Sequence, residues 1–163
     1  MKDVSYLKDG RKLVIGDYSY RKDGDNVILT RYAGHKSRVK IPEGVTDLAD
    51  ESFADARITQ VDLPSTIKTI GRKAFYCSAV RKVHLPRSVE TVRERAFDCS
   101  GLTELTIDNP NAYFYPEAFD HAYDLTTIRF AGTKEQWEEI SENQIFSASF
   151  TVFFPDGTTQ EHE

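Results

Sequence analysis

The segment VHLPRSVETVRERAFDCSG, residues 83–101, decides the fold because it occurs in four versions along the chain. The versions begin at Val39, Val61, Val83 and Leu105, and they align without gaps through their first nineteen positions. The other three read VKIPEGVTDLADESFADAR, VDLPSTIKTIGRKAFYCSA and LTIDNPNAYFYPEAFDHAY. Self-similarity at a fixed period in this range is typical of a solenoid, in which each repeat is one structural unit.

Apolar side chains keep a 22-residue interval through these units. Phenylalanine occupies one such position in every unit, at residues 53, 75, 97 and 119. A second position holds Leu48, Ile70, Val92 and Phe114, and a third holds Val45, Ile67 and Val89 before Asn111 interrupts it. Since like residues of stacked units lie above one another, we expect the four phenylalanines to form a column through the core.

One unit shows how such a repeat folds. Val61 and Leu63 point into the protein and Asp62 points out, as in a strand that turns at Pro64. The chain then returns and places Ile67 and Phe75 in the interior. The sequence therefore predicts a β-rich α/β solenoid. We expect a parallel sheet of about five short strands, with single helical turns on the opposite side.

The two ends of the chain read as caps of the solenoid. YLKDGRKLVI and YRKDGDNVIL, starting at Tyr6 and Tyr20, each predict a hairpin around a Lys-Asp-Gly turn. Thr133 and Gln136 have the spacing of a capping box, and the later SFTVFF reads as a strand. We predict one domain over 1–163, with an N-terminal hairpin cap (1–38), four repeats (39–127), and a last rung with a C-terminal cap (128–163).

The pattern L-x-x-V-x-L-P-x-x-V-x-x-I-x-x-x-A-F-x-C, carried here from Val80 to Cys99, resembles the BspA-type (treponemal-type) leucine-rich repeat. The resemblance covers residues 39–128 closely, and the segments before and after are similar to the hairpin and the ending of such arrays. It departs at Asp108-Asn109-Pro110-Asn111, where the repeat normally has Pro and apolar residues. The resemblance implies a leucine-rich-repeat fold and a bacterial protein that recognises other proteins, in this family often for surface attachment or host-protein binding.

Composition and charge restrict the function classes. The charged fraction is 29%, and no segment has the roughly 18 consecutive apolar residues of a membrane helix. Without a secretory signal at the N-terminus, we expect a cytoplasmic location, or the cell surface or secretion if the chain is a fragment. Residues 1–40 carry +5 and residues 131–163 carry −6, a dipole that predicts weak self-association. The net charge of −5 argues against nucleic acid as a partner.

The sequence carries no common catalytic motif. P-loop, G-x-G-x-x-G, H-E-x-x-H, G-x-S-x-G and C-x-x-C patterns are all missing, so we predict that the protein is not an enzyme and needs no cofactor.

The only two cysteines occupy one position of the repeat, which holds Asp55, Cys77, Cys99 and His121 in turn. These are zinc-ligand types, but residues spaced by roughly 4.8 Å per turn cannot converge on one ion, so we predict no metal site. A Cys77–Cys99 disulfide is conceivable from their adjacent turns, and we leave open whether it forms. We expect both cysteines to fill space behind the phenylalanine column.

Outward-pointing strand residues form two files, which we predict as the partner-binding face: Arg38, Gln60, Lys82, Glu104 and Thr127 in one, and Lys40, Asp62, His84, Thr106 and Arg129 in the other. Five strands expose roughly 200–300 Å² there, below the roughly 800 Å² per partner of a standard interface, and no aromatic anchor is among the ten. Tyrosines at 18, 32, 113, 115 and 123 are candidates for extra contact area, and the alternative for each is packing under a cap or loop.

The leading functional hypothesis is therefore a non-enzymatic protein-interaction module that binds a protein partner through this face and adjacent loops. The alternatives are a structural module that associates end to end and a fragment of a cell-surface adhesin.

Overall fold

A computed structural model describes residues 11–142 and 146–162, which form two β-sheets and one α-helix. The strands of sheet A are, in their order across the sheet, β1 (Lys12–Ile15), β2 (Tyr18–Asp23), β3 (Asn26–Tyr32), β5 (Asp47–Leu48), β7 (Thr69–Ile70), β9 (Thr91–Val92) and β11 (Tyr113–Phe114). Those of sheet B are, in their order across the sheet, β4 (Arg38–Lys40), β6 (Gln60–Asp62), β8 (Lys82–Leu85), β10 (Glu104–Ile107), β12 (Thr127–Phe130), β13 (Phe150–Phe153) and β14 (Thr159–His162).

Sheet B is the parallel sheet that the apolar-x-apolar steps predict. Equivalent residues pair from strand to strand, as Val83 does with Leu105 and Leu105 with Ile128. These central residues are buried, while their neighbours along each strand are more exposed. The β-rich solenoid of the leucine-rich-repeat type is thus confirmed, and sheet B is longer than the five strands expected because β13 and β14 extend it.

Sheet A was not anticipated. The positions held by Leu48, Ile70, Val92 and Phe114 form two-residue parallel strands, in which Leu48 pairs with Ile70 and Ile70 with Val92. The return path of each unit is therefore a second β-ladder on the other wall of the core.

The Ala-Phe segments on that side are tight turns and not single helical turns. Residues at two positions of each repeat have left-handed backbone, with φ between 51° and 62°: Glu51, Lys73, Arg95 and Glu117 at the first, and Asp55, Cys77, Cys99 and His121 at the second. A left-handed residue interrupts a right-handed helix, so the chain makes successive turns instead. The turns join neighbouring units, since the amide of Phe75 donates to the carbonyl of Ala96 at 2.7 Å.

The phenylalanine column is confirmed and is longer than the repeats themselves. Tyr32 stacks on Phe53, and Phe119 stacks on Phe146, with the other three pairs between them. Ring centroids along this file are 5.0–5.2 Å apart. Each turn of the solenoid thus contributes one aromatic ring to a continuous core.

Both caps have the predicted elements. β2 and β3 form a hairpin that turns at Gly24, while the turn of the first predicted hairpin falls in residues 1–10, outside the described residues. Helix α1 (Lys134–Ser141) begins with a capping box between Thr133 and Gln136 and buries Trp137 against the last turn. In the described part of the chain, no helix is long and apolar enough to cross a membrane.

Candidate binding face

All ten predicted face residues lie on the outer side of sheet B in two files. The pairings run from Arg38 and Lys40 on β4 to Thr127 and Arg129 on β12. In each strand the residue between the two files is buried, so the side chains on either side of it point outward. The sequence placed these residues correctly, and their role in binding stays a prediction.

The first file is extensively paired within the protein. The Arg38 guanidinium donates to Asp62 at 3.0 Å, and Lys82 donates to Glu104 at 2.8 Å. Arg129 reaches the other oxygen of Glu104 at 3.3 Å. Hydrogen bonding from the Lys82 ammonium, followed by that from Arg129, lowers the pKa of the Glu104 carboxyl below its ordinary value. Three cations of the face are therefore paired with its two carboxylates, and each exposed pair contributes about 0–1 kcal/mol to stability.

His84 is paired with a residue that the sequence did not suggest. Its Nε2 lies 2.6 Å from a carboxylate oxygen of Asp108, which follows β10 at the edge of the face. Asp108 belongs to the segment where the fourth unit departs from the repeat. Asp108 takes the place of the proline that follows the earlier strands. This departure from the repeat was the sequence signal for the contact with His84.

The C-terminal end of the face carries an aromatic anchor, contrary to the expectation from the ten residues. β13 pairs with β12, so Phe153 continues the file of Arg129. The Phe153 ring is 38% exposed, and the Arg129 guanidinium lies 5.3 Å from its centroid. The segment SFTVFF predicted a strand, but the sequence did not show beside which strand it would lie.

A pocket of about 220 Å³ adjoins this anchor. Backbone and side chains at the carboxyl ends of β10, β12 and β13 line it, including Thr106, Asp108 and Pro155. The two polar files of the face therefore end at an apolar pocket beside Arg129. Such a combination can seat an apolar side chain and hydrogen-bond its neighbours.

The expected tyrosine contacts divide into core and surface. Tyr32 is 8% exposed and forms part of the aromatic column, which agrees with the packing alternative and excludes it from the binding surface. Tyr113 and Tyr123 are 54% and 68% exposed, and Tyr123 lies on the turn side, away from the outer face of sheet B. Tyr18 and Tyr115 are half-buried.

The prediction that the cysteines fill the core is wrong. Cys77 and Cys99 are both free thiols on the surface, and their left-handed backbone turns the side chains away from the phenylalanines. Local desolvation, with the neighbouring Asp98 and Cys77, raises the pKa of the Cys99 thiol to about 11. Cys99 is therefore a thiol at neutral pH, which does not suit a nucleophile.

One group of potential metal ligands occurs in the described residues. The ligand atoms of Asp98, Cys99 and His121 all lie within 4.8 Å of one another. Asp98 is buried, and its Oδ1 is 3.0 Å from Nδ1 of His121. Comparison of equivalent repeat positions did not reveal this group, because Asp98 occupies the position before the one that holds Cys99 and His121.

These features define a short, capped β-solenoid built from a 22-residue repeat. Residues 32–151 match the BspA type leucine rich repeat region in six copies, and the chain belongs to this family. The six copies exceed the four units recognised by alignment. Proteins with this fold typically mediate protein interactions and are generally non-enzymatic.

Solved bacterial structures are similar to the chain. A leucine-rich repeat protein from Bacteroides capillosus is 27% identical with a TM-score of 0.63, over 74% of this chain and 99% of that one. A leucine rich cell surface protein from Faecalibacterium prausnitzii is 21% identical with a TM-score of 0.57, over 79% and 42%. The pneumococcal vaccine antigen PcpA is 19% identical with a TM-score of 0.60, over 77% and 39%. The chain thus spans about two fifths of the latter two proteins. A comparison with curated proteins gave no match.

Proposed function

We propose that the chain is a protein-interaction module that binds a protein partner through the outer face of sheet B, centred on Arg129 and Phe153. The observation that carries the proposal is the exposed Phe153 ring beside the Arg129 guanidinium, at the mouth of the apolar pocket. Aromatic and arginine side chains are the residues most often found at the energetic centres of protein interfaces.

The small area of the face favours a partner that also contacts the loops at its C-terminal end. Six parallel strands, spaced by about 4.8 Å with about 10 Å exposed on each, offer roughly 240 Å². A standard interface needs roughly 800 Å² per partner, so adjacent loops must contribute. The segments around Asp108, Ala131 and Pro155 line the pocket and extend the surface there. At the other end, Arg38 and Asp62 pair with each other.

The test is site-specific crosslinking in extracts of the source organism. A photo-crosslinking residue at Thr106, which lines the pocket, should give discrete adducts that unlabelled protein competes away. The same residue at Tyr123, which is 68% exposed on the turn side, serves as the control. Equal adducts from both positions would contradict a binding face on sheet B.

A pair of matched substitutions tests the anchor. Once the crosslinked partner is identified, Phe153→Ala should weaken its affinity by at least about tenfold, as for an interface hot spot. Tyr123→Ala removes a more exposed aromatic ring, 68% against 38%, on the turn side of the fold and should leave the affinity unchanged. Unchanged affinity in Phe153→Ala would remove Phe153 from the site.

A second candidate function is end-to-end association. Sheet B begins at β4 with Arg38 and Lys40 and ends at β14, which carries Glu161. Edge strands present unpaired backbone groups on which a further strand can add. Opposite charges at the two edges favour contact between the start of one molecule and the end of another.

A further inference from the structure

We propose that Asp98, Cys99 and His121 form a binding site for one zinc-type divalent transition-metal ion, which connects two successive turns of the solenoid. The site lies on the turn side of the fold, away from the outer face of sheet B. It is independent of the proposed binding function.

The backbone brings Cys99 and His121 together. Both have left-handed conformation, with φ of 54° and 51°, and they occupy equivalent positions of adjacent turns. The amide of Cys99 donates to the carbonyl of Asp120 at 3.1 Å, which fixes the two turns next to each other. Two potential ligands are therefore held side by side by backbone geometry and not by chance contact of flexible chains.

Asp98 supplies a fixed third ligand. Its side chain is only 6% exposed, which is unusual for a carboxylate. Oδ1 lies 3.0 Å from Nδ1 of His121, while the nearest recorded guanidinium nitrogen, Nε of Arg95, is 3.9 Å from Oδ2. A buried carboxylate needs a cation or hydrogen-bond donors, and a metal ion between Asp98 and His121 would satisfy this need.

The distances allow coordination after a small movement. The three ligand atoms lie within 4.8 Å of one another, whereas donors around a tetrahedral zinc ion are about 3.5 Å apart. The approach required is about 1 Å. Cys99 and His121 are exposed, so their side chains can rotate toward the buried Asp98 without disturbing the core.

The donor set selects the class of metal. When the ion displaces the Cys99 proton to solvent, the donor set is one thiolate, one imidazole and one carboxylate. These donors suit zinc and its spectroscopic substitute cobalt, whereas magnesium and calcium prefer oxygen ligands alone. Three protein ligands leave a position for water. Cys77 occupies the equivalent position one turn earlier and contributes to the raised pKa of Cys99, so it is an alternative ligand.

Equivalent positions of the other units lack this combination. The corresponding residues one turn earlier are Tyr76, Cys77 and Cys99, and two turns earlier they are Ala54, Asp55 and Cys77. Within residues 11–142 and 146–162, this is the only such group of three. The site therefore arises from the particular residues of the third and fourth units and not from the repeat itself.

Cobalt titration of the untagged, reduced protein tests the proposal. We expect one Co²⁺ per chain, with thiolate-to-cobalt charge-transfer absorption and tetrahedral d–d bands, both removed by Zn²⁺. Cys99→Ser, Asp98→Asn and His121→Asn should each weaken binding by about 100-fold or more, because each removes one of three ligands. Asn tolerates left-handed backbone, which protects the fold of the His121 variant.

Three controls separate this site from other metal binding. Asp55→Asn alters the equivalent position two turns away and should leave the affinity unchanged. His84→Asn removes a His–carboxylate pair on the outer face of sheet B, in which Nε2 is 2.6 Å from Asp108, and should also have no effect. Cys77→Ser should preserve the charge-transfer band and lower affinity by less than tenfold. Circular dichroism confirms that each variant is folded.

Two results would overturn the proposal. The first is absence of a thiolate charge-transfer band at one equivalent of Co²⁺ in the wild-type protein. The second is a pattern in which Cys77→Ser and Cys99→Ser abolish binding while His121→Asn binds normally, since the ion would then be held by the two thiols. If Asp98→Asn fails to fold, the Cys99 and His121 variants still decide the outcome.

Discussion

The rings of Phe97 and Phe119 lie almost parallel, with an interplanar angle of 3° and centroids 5.1 Å apart. Neither side chain is exposed, and each belongs to a different turn of the solenoid. The contact therefore stabilises the interface between units and not the inside of one unit. In a solenoid, such nearest-neighbour interfaces supply much of the stability, because a single unit cannot bury its own apolar face.

Replacing Phe97 should show this coupling directly. Phe97 stacks on Phe75 as well as on Phe119, so Phe97→Ala leaves a cavity in the middle of the column. We expect the free energy of unfolding to fall by about 3–5 kcal/mol, as for large-to-small substitution of a buried aromatic residue. Urea denaturation followed by circular dichroism measures the loss.

The matched control is Tyr123→Ala, because Tyr123 is an aromatic residue that is 68% exposed. Its free energy of unfolding should change by less than about 0.5 kcal/mol. A Phe97→Ala variant as stable as the wild type would contradict the role of the column.

The repeat allowed sheet B and the aromatic column to be predicted from sequence. A strict period assigns equivalent positions to Phe75 and Phe97 even before any contact is known, and burial follows because both are large and apolar. The same reasoning placed Lys82 and Glu104 side by side on the outer face. Their ion pair at 2.8 Å follows from a register that the sequence already contained.

Side-chain direction at the turns could not be predicted in this way. A period shows that Cys77 and Cys99 are equivalent, but it does not show which way the position points. The left-handed backbone of Cys77 and Cys99 determines the side-chain direction, and a cysteine in the sequence does not indicate left-handed backbone. Asp55 and His121 at the same position were the one indication of exposure, since charged and polar residues are rarely left unpaired in a core.

The cost of left-handed backbone gives a second prediction. Glu51 is exposed and has φ of 58°, a conformation that costs a residue with Cβ about 1–2 kcal/mol. Glu51→Gly should raise the free energy of unfolding by up to about 1 kcal/mol, since the relief of strain exceeds the added entropy of the unfolded chain. Thermal denaturation measures the difference.

Lys68→Gly is the control for this substitution. Lys68 is also exposed and precedes β7, but its φ is not in the left-handed region. Glycine there should destabilise the protein by about 0.5–1 kcal/mol because only the entropic cost remains. Destabilisation of equal size in both variants would show that the left-handed turn is not strained.

Alkaline pH should destabilise the N-terminal cap. Desolvation by burial is the main cause that raises the pKa of Tyr18 and of Tyr20 to about 12 each. The unfolded chain loses these protons near pH 10 while the folded chain retains them, so this contribution to stability is complete below pH 10. It is lost progressively as the pH rises from about 10 to about 12.

The contribution of the two tyrosines is isolated by comparison with a double variant. Tyr18→Phe with Tyr20→Phe removes both titrating groups, so its free energy of unfolding should fall less steeply between pH 10 and pH 12. Denaturant unfolding at several pH values gives both slopes. Equal slopes for the two proteins would mean that both hydroxyls ionise as readily in the folded state as in the unfolded one.

End-to-end association makes a prediction about salt. Opposite charges at the β4 and β14 edges of sheet B attract more strongly when screening is weak. The sedimentation coefficient should therefore rise with protein concentration at about 0.02 M salt and stay at the monomer value at about 0.5 M.

Arg38→Glu with Lys40→Glu should abolish the rise, because it reverses the charge of the β4 edge. Arg87→Glu with Arg93→Glu changes net charge equally at exposed positions between the two ends and should associate as the wild type does. A monomer at both salt concentrations, or equal loss in the two double variants, would leave sheet B with a partner-binding role alone.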